Sequence, residues 1–126
     1  MPRTQFQTFL EELFSGFGPI ELRAVFGFQG IYRGEIMFGL LADERVFLKT
    51  GDSNRAAFAS EGAKPLHYHL RGKDVALSYY ELPPRLYDDP EEAAEWARKA
   101  YEVAVQSPTA RRKSRKGVTA RKPRSK

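Results

Sequence analysis

The pattern of apolar and polar positions in residues 26–49 predicts three consecutive β-strands. Short apolar runs in this stretch are separated at residues 33–35 (RGE) and 43–44 (DE), as in consecutive hairpins. The middle run, IMFGLLA, is apolar at successive positions and predicts a central strand that is buried on both faces. In the last run Val46 and Leu48 alternate with their neighbours, which indicates one buried face.

Three further segments have the 3.6-residue period of amphipathic helices. An N-terminal helix is predicted after Thr4, which opens a Thr-x-x-Gln capping box. A middle helix is predicted at residues 53–61, with Asp52 as its N-cap. A C-terminal helix is predicted to start at Asp89, because a capping aspartate followed by Pro90 is a strong helix start.

Additional strands are predicted at residues 20–26, 65–70 and 75–81, and the last two are joined by a turn at residues 71–74. The elements together predict an α+β fold. We expect an antiparallel sheet of about six strands, with N-terminal, middle and C-terminal helices packed on it. The folded domain is expected to cover residues 1–106.

The charge of the chain is unevenly divided. The whole chain has 21 Lys and Arg against 16 Asp and Glu, a net charge of +5. Residues 107–126 hold nine of the basic residues and no acidic one, which leaves 12 basic and 16 acidic residues, a net of −4, in residues 1–106. The sequence therefore describes an acidic domain with a basic tail. The tail has Val118 as its one large apolar residue, so we expect residues 107–126 to be disordered.

Composition excludes several classes of site and location. The chain has no cysteine, which excludes disulfides, thiolate metal sites and cysteine nucleophiles. No apolar run approaches the roughly 20 residues of a membrane span. The N-terminus has acidic residues within its apolar periodicity and does not resemble a signal peptide. We therefore expect a soluble cytoplasmic protein.

Candidate catalytic and metal-binding groups are few. Residues 27–30 (GFQG) lack the Lys-Ser/Thr step of a phosphate loop, and their flanking strands favour a turn or bulge. His67 and His69 would share one strand face, but two histidines without a nearby carboxylate make a weak metal site. Ser78 lies in a predicted strand with no helix-start elbow after it. We therefore expect no catalytic, metal-binding or cofactor-binding residue and no enzymatic activity.

The tail is the stretch whose composition has a specific physical use. Its dense positive charge, interrupted by Pro108 and Pro123, is typical of a flexible arm that binds polyanions. Because it has no aromatic residue to stack on bases, we expect contacts to nucleic-acid phosphates without sequence preference. A merely solubilising tail is the alternative. The candidate nucleic-acid-binding residues are Arg111, Arg112, Lys113, Arg115, Lys116, Arg121, Lys122, Arg124 and Lys126.

The charge division also suggests an internal partner for the tail. We hypothesise that the tail folds back on acidic side chains of the last helix, so that nucleic acid would compete with them. These side chains are expected on the exposed part of that helix and are Glu91, Glu92, Glu95 and Glu102.

Several short stretches, taken in order, carry a family resemblance. They are residues 25–32 (VFGFQGIY), 37–43 (MFGLLAD), 46–49 (VFLK) and 78–80 (SYY). In this combination the chain resembles the TfoX N-terminal domain family, the Sxy-like competence regulators, over roughly residues 6–105. The first stretch departs from the family's usual Met-Phe-Gly-Gly.

The resemblance implies an α+β domain with an antiparallel sheet, and a non-enzymatic role in transcriptional control of DNA uptake together with the cyclic-AMP receptor protein. Full-length competence regulators carry a further C-terminal domain, where this chain has the basic tail. We therefore expect a DNA-associated accessory or regulatory protein whose folded domain binds a protein partner and whose tail binds phosphates. The alternative is a protein-interaction module without promoter function, whose tail binds RNA or an acidic protein. A third alternative is a small-ligand-binding domain that uses the aromatic-rich sheet.

Overall fold

The computed structural model describes residues 5–25 and 27–107. Within them the chain forms one antiparallel sheet of six strands with three α-helices, which confirms the predicted α+β fold. The helical elements are α1 (Gln5–Leu13), α2 (Arg55–Ser60), a 3₁₀ turn (Pro84–Asp88) and α3 (Pro90–Gln106). The strands, in the sheet order β1-β2-β3-β4-β6-β5, are β1 (Glu21–Val25), β2 (Phe28–Arg33), β3 (Ile36–Ala42), β4 (Arg45–Lys49), β5 (Pro65–Leu70) and β6 (Lys73–Glu81). The predicted capping residue Thr4 lies outside the described residues.

The middle strand β3 is buried on both faces, as its unbroken apolar run predicted. Phe38 faces the helices, where its ring centroid lies 6.4 Å from that of Phe14 and 5.1 Å from that of Phe17. Leu40 is buried on the opposite face and pairs with Phe47 of β4. The strand therefore contributes to two apolar layers, and the helix-covered layer is the main core.

Helix α3 packs on β3 and β4 through short side chains. Its start was correctly predicted, because the Asp89 carboxylate accepts a hydrogen bond from the backbone N–H of Glu92 at 3.2 Å. Alanine has no side chain beyond Cβ, so the helix backbone lies close to the sheet. The buried alanines are Ala93, Ala94, Ala97, Ala100 and Ala104.

The predicted start of the middle helix is wrong. Helix α2 begins at Arg55, and the side chain of Asp52 is fully exposed. The loop before the helix is instead organised by Asn54, which is buried. Its side chain accepts a hydrogen bond from the N–H of Gly51 at 2.8 Å and donates one to the carbonyl of Lys49 at 3.0 Å. A buried amide can satisfy both a donor and an acceptor of this loop, which a carboxylate cannot do.

The predicted four-residue turn at 71–74 is also wrong. Arg71 and Gly72 both have positive φ, at 52° and 79°, and reverse the chain in two residues. This is the backbone geometry of a type I′ hairpin turn, which matches the twist of paired strands. Strand β6 consequently begins at Lys73 and not at Val75.

Removal of the α3 cap tests the helix start. We expect Asp89→Ala to lower the free energy of unfolding by about 1 kcal/mol, because the N–H of Glu92 loses its acceptor. Urea unfolding would measure the change. Asp88→Ala is the matched control, since Asp88 is exposed and directly precedes the cap. An equal loss in the two variants would contradict a specific capping role.

Candidate nucleic-acid interface

The nine basic residues predicted to bind nucleic acid, between Arg111 and Lys126, lie outside the described residues, and their role stays a prediction. The structure does place the point at which the tail begins. Helix α3 ends at Gln106. A methyl group at Gly51 would come within 2.9 Å of Cγ1 of Val103, in the last turns of α3. The tail therefore begins beside the loop that follows β4.

The strand register separates two ends of the sheet. One end has the β2–β3 turn (residues 34–35), the loop after β4 and the last turns of α3, and we call it the tail end. The opposite end has the β3–β4 turn (residues 43–44), the 3₁₀ turn and the first turn of α3. The 3₁₀ turn is fixed there because the hydroxyl of Tyr87 accepts a hydrogen bond from the N–H of Val46 at 2.9 Å. We call this opposite end the acidic end.

Half of the domain's 16 carboxylates lie at the acidic end. Among the described residues, eight carboxylates there face three cations, Arg45, Lys64 and Arg85. Arg45 is paired with Glu81 through two hydrogen bonds of 3.0 and 3.1 Å. The acidic end therefore has a net negative charge. Its carboxylates are Asp43, Glu44, Glu61, Glu81, Asp88, Asp89, Glu91 and Glu92.

Arg85 holds two of these carboxylates together. Its Nη2 donates to Glu61 at 2.6 Å and to Glu92 at 2.9 Å, and Glu92 also accepts from Nε1 of Trp96 at 3.1 Å. Hydrogen bonding to the guanidinium lowers the pKa of the Glu61 carboxyl and of the Glu92 carboxyl. The cluster joins the end of α2 to the start of α3. The expectation that Glu92 is exposed is wrong, since only 34% of its side chain is accessible.

Cations at the tail end are held against aromatic rings. Arg33 donates to the carbonyl of Phe17 at 3.0 Å, and its guanidinium lies 4.7 Å from the Phe17 ring centroid and 5.6 Å from that of Tyr101. Among the described residues it forms no ion pair. Its charge at this end is therefore not neutralised by a described carboxylate.

Ser78, considered above as a nucleophile, accepts a hydrogen bond at 2.8 Å from Nζ of Lys49. Burial lowers the pKa of the Lys49 amine, and Arg55 lowers it further. The Ser78 carbonyl accepts from the N–H of Thr50 at 2.8 Å and from its hydroxyl at 3.1 Å. These contacts tie β6 to the loop after β4. No local sequence signal indicates these contacts, because they join residues far apart in the chain.

The β5–β6 hairpin extends past the rest of the sheet at the tail end. Strand β4 pairs with β6 at residues 79–81, whereas β5 pairs with β6 along its whole length. Residues 73–76 are exposed at four successive positions, so neither face of this segment is covered. We call residues 67–76 the arm. Its projection was not foreseen, although its two strands were predicted.

The two histidines considered as metal ligands lie in the arm and are exposed. Nδ1 of His69 lies 3.0 Å from a carboxylate oxygen of Asp74, its cross-strand neighbour. In the part of the chain that the structure describes, no three His, Asp or Glu side chains come together to hold a metal. The contact made by His69 therefore joins the two strands of the arm.

The glycine-rich stretch at residues 27–30 forms the turn that was predicted for it. Gly27 has a φ of 83° and precedes β2, which begins at Phe28. Gly30 lies within β2, where a methyl group would come within 2.6 Å of Sδ of Met37. Gly27 thus suits a left-handed turn, Gly30 leaves room for the Met37 side chain, and the stretch belongs to the β1–β2 hairpin.

Comparison with known protein families identifies the family to which the chain belongs. A model of the TfoX N-terminal domain matches residues 12–104, a range that includes all the strands of the described sheet. No curated protein matches the chain. Among the described residues, no helix combines the length and the hydrophobicity needed to cross a membrane.

The Arg85 cluster predicts a pH-dependent stability. We expect Arg85→Gln to lower the Tm at neutral pH, because Glu61 and Glu92 lose a shared donor. Both carboxyls have folded-state pKa values below the ordinary 4.5, so the contribution is complete above pH 4.5 and is lost as pH falls through those values. The difference in Tm from the wild type should therefore be constant near neutrality and narrow below pH 4.5.

Thermal unfolding across a pH series would measure this difference. Arg55→Gln is the matched control, because Arg55 pairs at 3.7 Å with the fully exposed Asp52 and should change the Tm little. A difference for Arg85→Gln that stays constant to low pH would contradict the role of the two glutamates.

Proposed function

Because the chain belongs to the TfoX N-terminal domain family, we propose that it is a cytoplasmic, DNA-associated accessory protein of transcriptional regulation that acts without catalysis. In this proposal the folded domain binds a protein partner and the basic tail binds nucleic-acid phosphates. The family match supports the domain's part in the proposal. The charge layout supports the tail's part.

The observation that carries the proposal is where the tail begins. It follows α3, which starts at the acidic end and finishes at the tail end. A helix of 17 residues is about 25 Å long, and the Debye length is roughly 10 Å at 0.1 M salt. A polyanion at the start of the tail is therefore screened from the domain's main cluster of carboxylates. The tail's charge remains available to an external ligand.

The tail's composition sets the kind of contact. A flexible chain of about 20 residues has a root-mean-square reach of roughly 25 Å, comparable with one turn of duplex. Its side chains offer cations without aromatic rings, so they would bind phosphates of any sequence. We place no base recognition in the tail.

We place the protein partner on the sheet face opposite the helices. Tyr32, Leu40 and Phe47 are buried there but lie outside the main core, and cations cover several aromatic rings of this face. Tyrosine and arginine are more frequent in protein interfaces than on the rest of the protein surface. A transcription factor such as the cyclic-AMP receptor protein is the partner that the family resemblance implies. The cation-ring pairs are Arg23 over Tyr32 at 4.3 Å, Lys49 over Tyr79 at 5.1 Å and Arg45 over Phe47 at 5.5 Å.

Truncation of the tail tests its role. We expect the full chain to bind duplex DNA with a slope of log K against log salt that approaches about −8 if all nine cations release counterions. A chain ending at Gln106 keeps every described helix and strand, and we expect it to bind far more weakly. Fluorescence anisotropy across a salt series, on two duplexes of unrelated sequence, would measure both. Failure of the full chain to bind at physiological salt would contradict the proposal.

Partial neutralisation of the tail refines the same test. Replacing five of its cations by Gln should weaken binding to both duplexes alike and reduce the slope by about 4 to 5. A loss on duplex RNA without a loss on the DNA duplexes would favour the alternative of an RNA-binding tail. The five residues are Arg111, Arg112, Lys113, Arg115 and Lys116.

A further inference from the structure

We propose that the arm, residues 67–76, is a second DNA contact and lies in the major groove of the duplex that the tail binds. The inference rests on the proposed function, since it takes the tail's duplex as the ligand of the arm. It adds a folded element that enters the groove, whereas the tail binds only the backbone phosphates.

Packing within the domain does not cover residues 73–76 of the arm. Its residues 73–76 are exposed at every position, and Val75 is 40% accessible, which is high for a large apolar side chain in this domain. A two-stranded hairpin without a covered face is marginally stable in water. The type I′ turn at Arg71 and Gly72 and the contact of His69 with Asp74 therefore hold together a ribbon that contributes little to the core.

The exposed tip of the arm is positively charged. Arg71 and Lys73 lie at the tip and are exposed, while the one carboxylate of the arm, on Asp74, is in contact with His69. Among the described residues neither cation forms an ion pair. In a domain of net negative charge the arm thus presents a positive tip at the end of the sheet opposite the acidic end.

The dimensions of the arm fit the major groove of B-form DNA. Paired strands lie about 5 Å apart, and the major groove of B-form DNA is about 12 Å wide, so it admits a two-stranded ribbon. The four strand residues on each side of the arm's turn span roughly 13 Å, which exceeds the groove depth of about 8.5 Å. The minor groove, about 6 Å wide, is too narrow. The major groove of duplex RNA is deep and narrow, so the arm distinguishes the two duplexes.

The base of the arm lies near the start of the tail. Ser78, just beyond the base of the arm, is hydrogen-bonded to Lys49 and to Thr50, and Gly51, the residue after Thr50, lies beside Val103 of α3. Followed step by step, this path puts Ser78 within about 20 Å of the start of the tail. One turn of duplex is about 34 Å long, so a single duplex can contact both.

The test uses a charge-neutral arm that keeps its fold. The variant Arg71→Asn with Lys73→Gln removes two cations, and it creates an Asn-Gly turn, which is preferred at type I′ geometry. The matched control, Arg98→Gln with Lys99→Gln, removes two exposed cations from the middle of α3. All measurements use the full chain, and circular dichroism would establish that each variant is folded.

We expect the arm variant to weaken binding to duplex DNA by roughly 10- to 60-fold at 0.1 M salt and to reduce the salt slope by about 2. The α3 control should lose less than about threefold, and the arm variant should bind duplex RNA as the wild type does. Equal losses in the arm variant and the control on DNA would overturn the inference while tail-dependent binding, and with it the proposed function, stands. If the full wild-type chain binds no duplex, both fall.

Cross-linking tests the position of the arm directly. The chain has no cysteine, so Lys73→Cys provides a unique thiol for a photoactivatable label, and Lys99→Cys provides the control. We expect the label at residue 73 to cross-link to duplex DNA, and a major-groove ligand such as methyl green to suppress it. The label at residue 99 should give little product. Equal cross-linking from both positions, or none from residue 73 under conditions where the chain binds, would overturn the inference.

Discussion

The close packing of α3 against β3 and β4 is the contact on which the rest of the structure depends. Alanines on the inner stripe bring the helix backbone near the sheet, and the Tyr101 ring lies 6.2 Å from that of Phe38 in β3. The helix runs from the Asp89 cap at one end of the sheet to Val103 beside Gly51 at the other. This packing therefore decides where the basic tail leaves the domain.

Charged side chains are held in different ways at the two ends of the domain. At the acidic end carboxylates crowd together, and Arg85 relieves part of their repulsion by bonding Glu61 and Glu92. At the tail end Arg33 and Lys49 lie over aromatic rings, which tolerate a cation without neutralising it. Of the acids proposed to receive a folded-back tail, Glu92 is engaged by Arg85 at the far end of α3. The other three, Glu91, Glu95 and Glu102, are exposed, and the internal contact with the tail stays a prediction.

The arm and the tail differ in what they would contribute to a complex. The tail is a flexible source of charge, and its binding would depend on salt and not on sequence. The arm is a folded ribbon with a fixed turn at Arg71 and Gly72, so its entry into a groove would set the orientation of the domain on the duplex. A domain oriented in this way would present the sheet face opposite the helices, the surface proposed for the protein partner, in a fixed direction.

Local sequence signals determined much of the architecture. The apolar run of β3 and the Asp89-Pro90 step each indicate their element because side-chain period and capping are properties of neighbouring residues. The alternation in β4 indicated a strand with one buried face, and this was wrong, since Phe47 is buried as well as Val46 and Leu48. The separation of an acidic domain from a basic tail is likewise read directly from composition. Local signals failed at Asp52, because the buried side chain of Asn54 organises that loop through contacts to Gly51 and Lys49.

Only the tertiary structure decided how these elements are arranged into a candidate site. The sheet order β4-β6-β5 joins Lys49 to Tyr79 and leaves residues 67–76 beyond the other strands. The side-chain period within β6 does not specify that β6 pairs with β4. Strand pairing depends on contacts between residues distant in sequence and on the helix packed across them. The same long-range packing places the arm and the start of the tail at one end of the sheet.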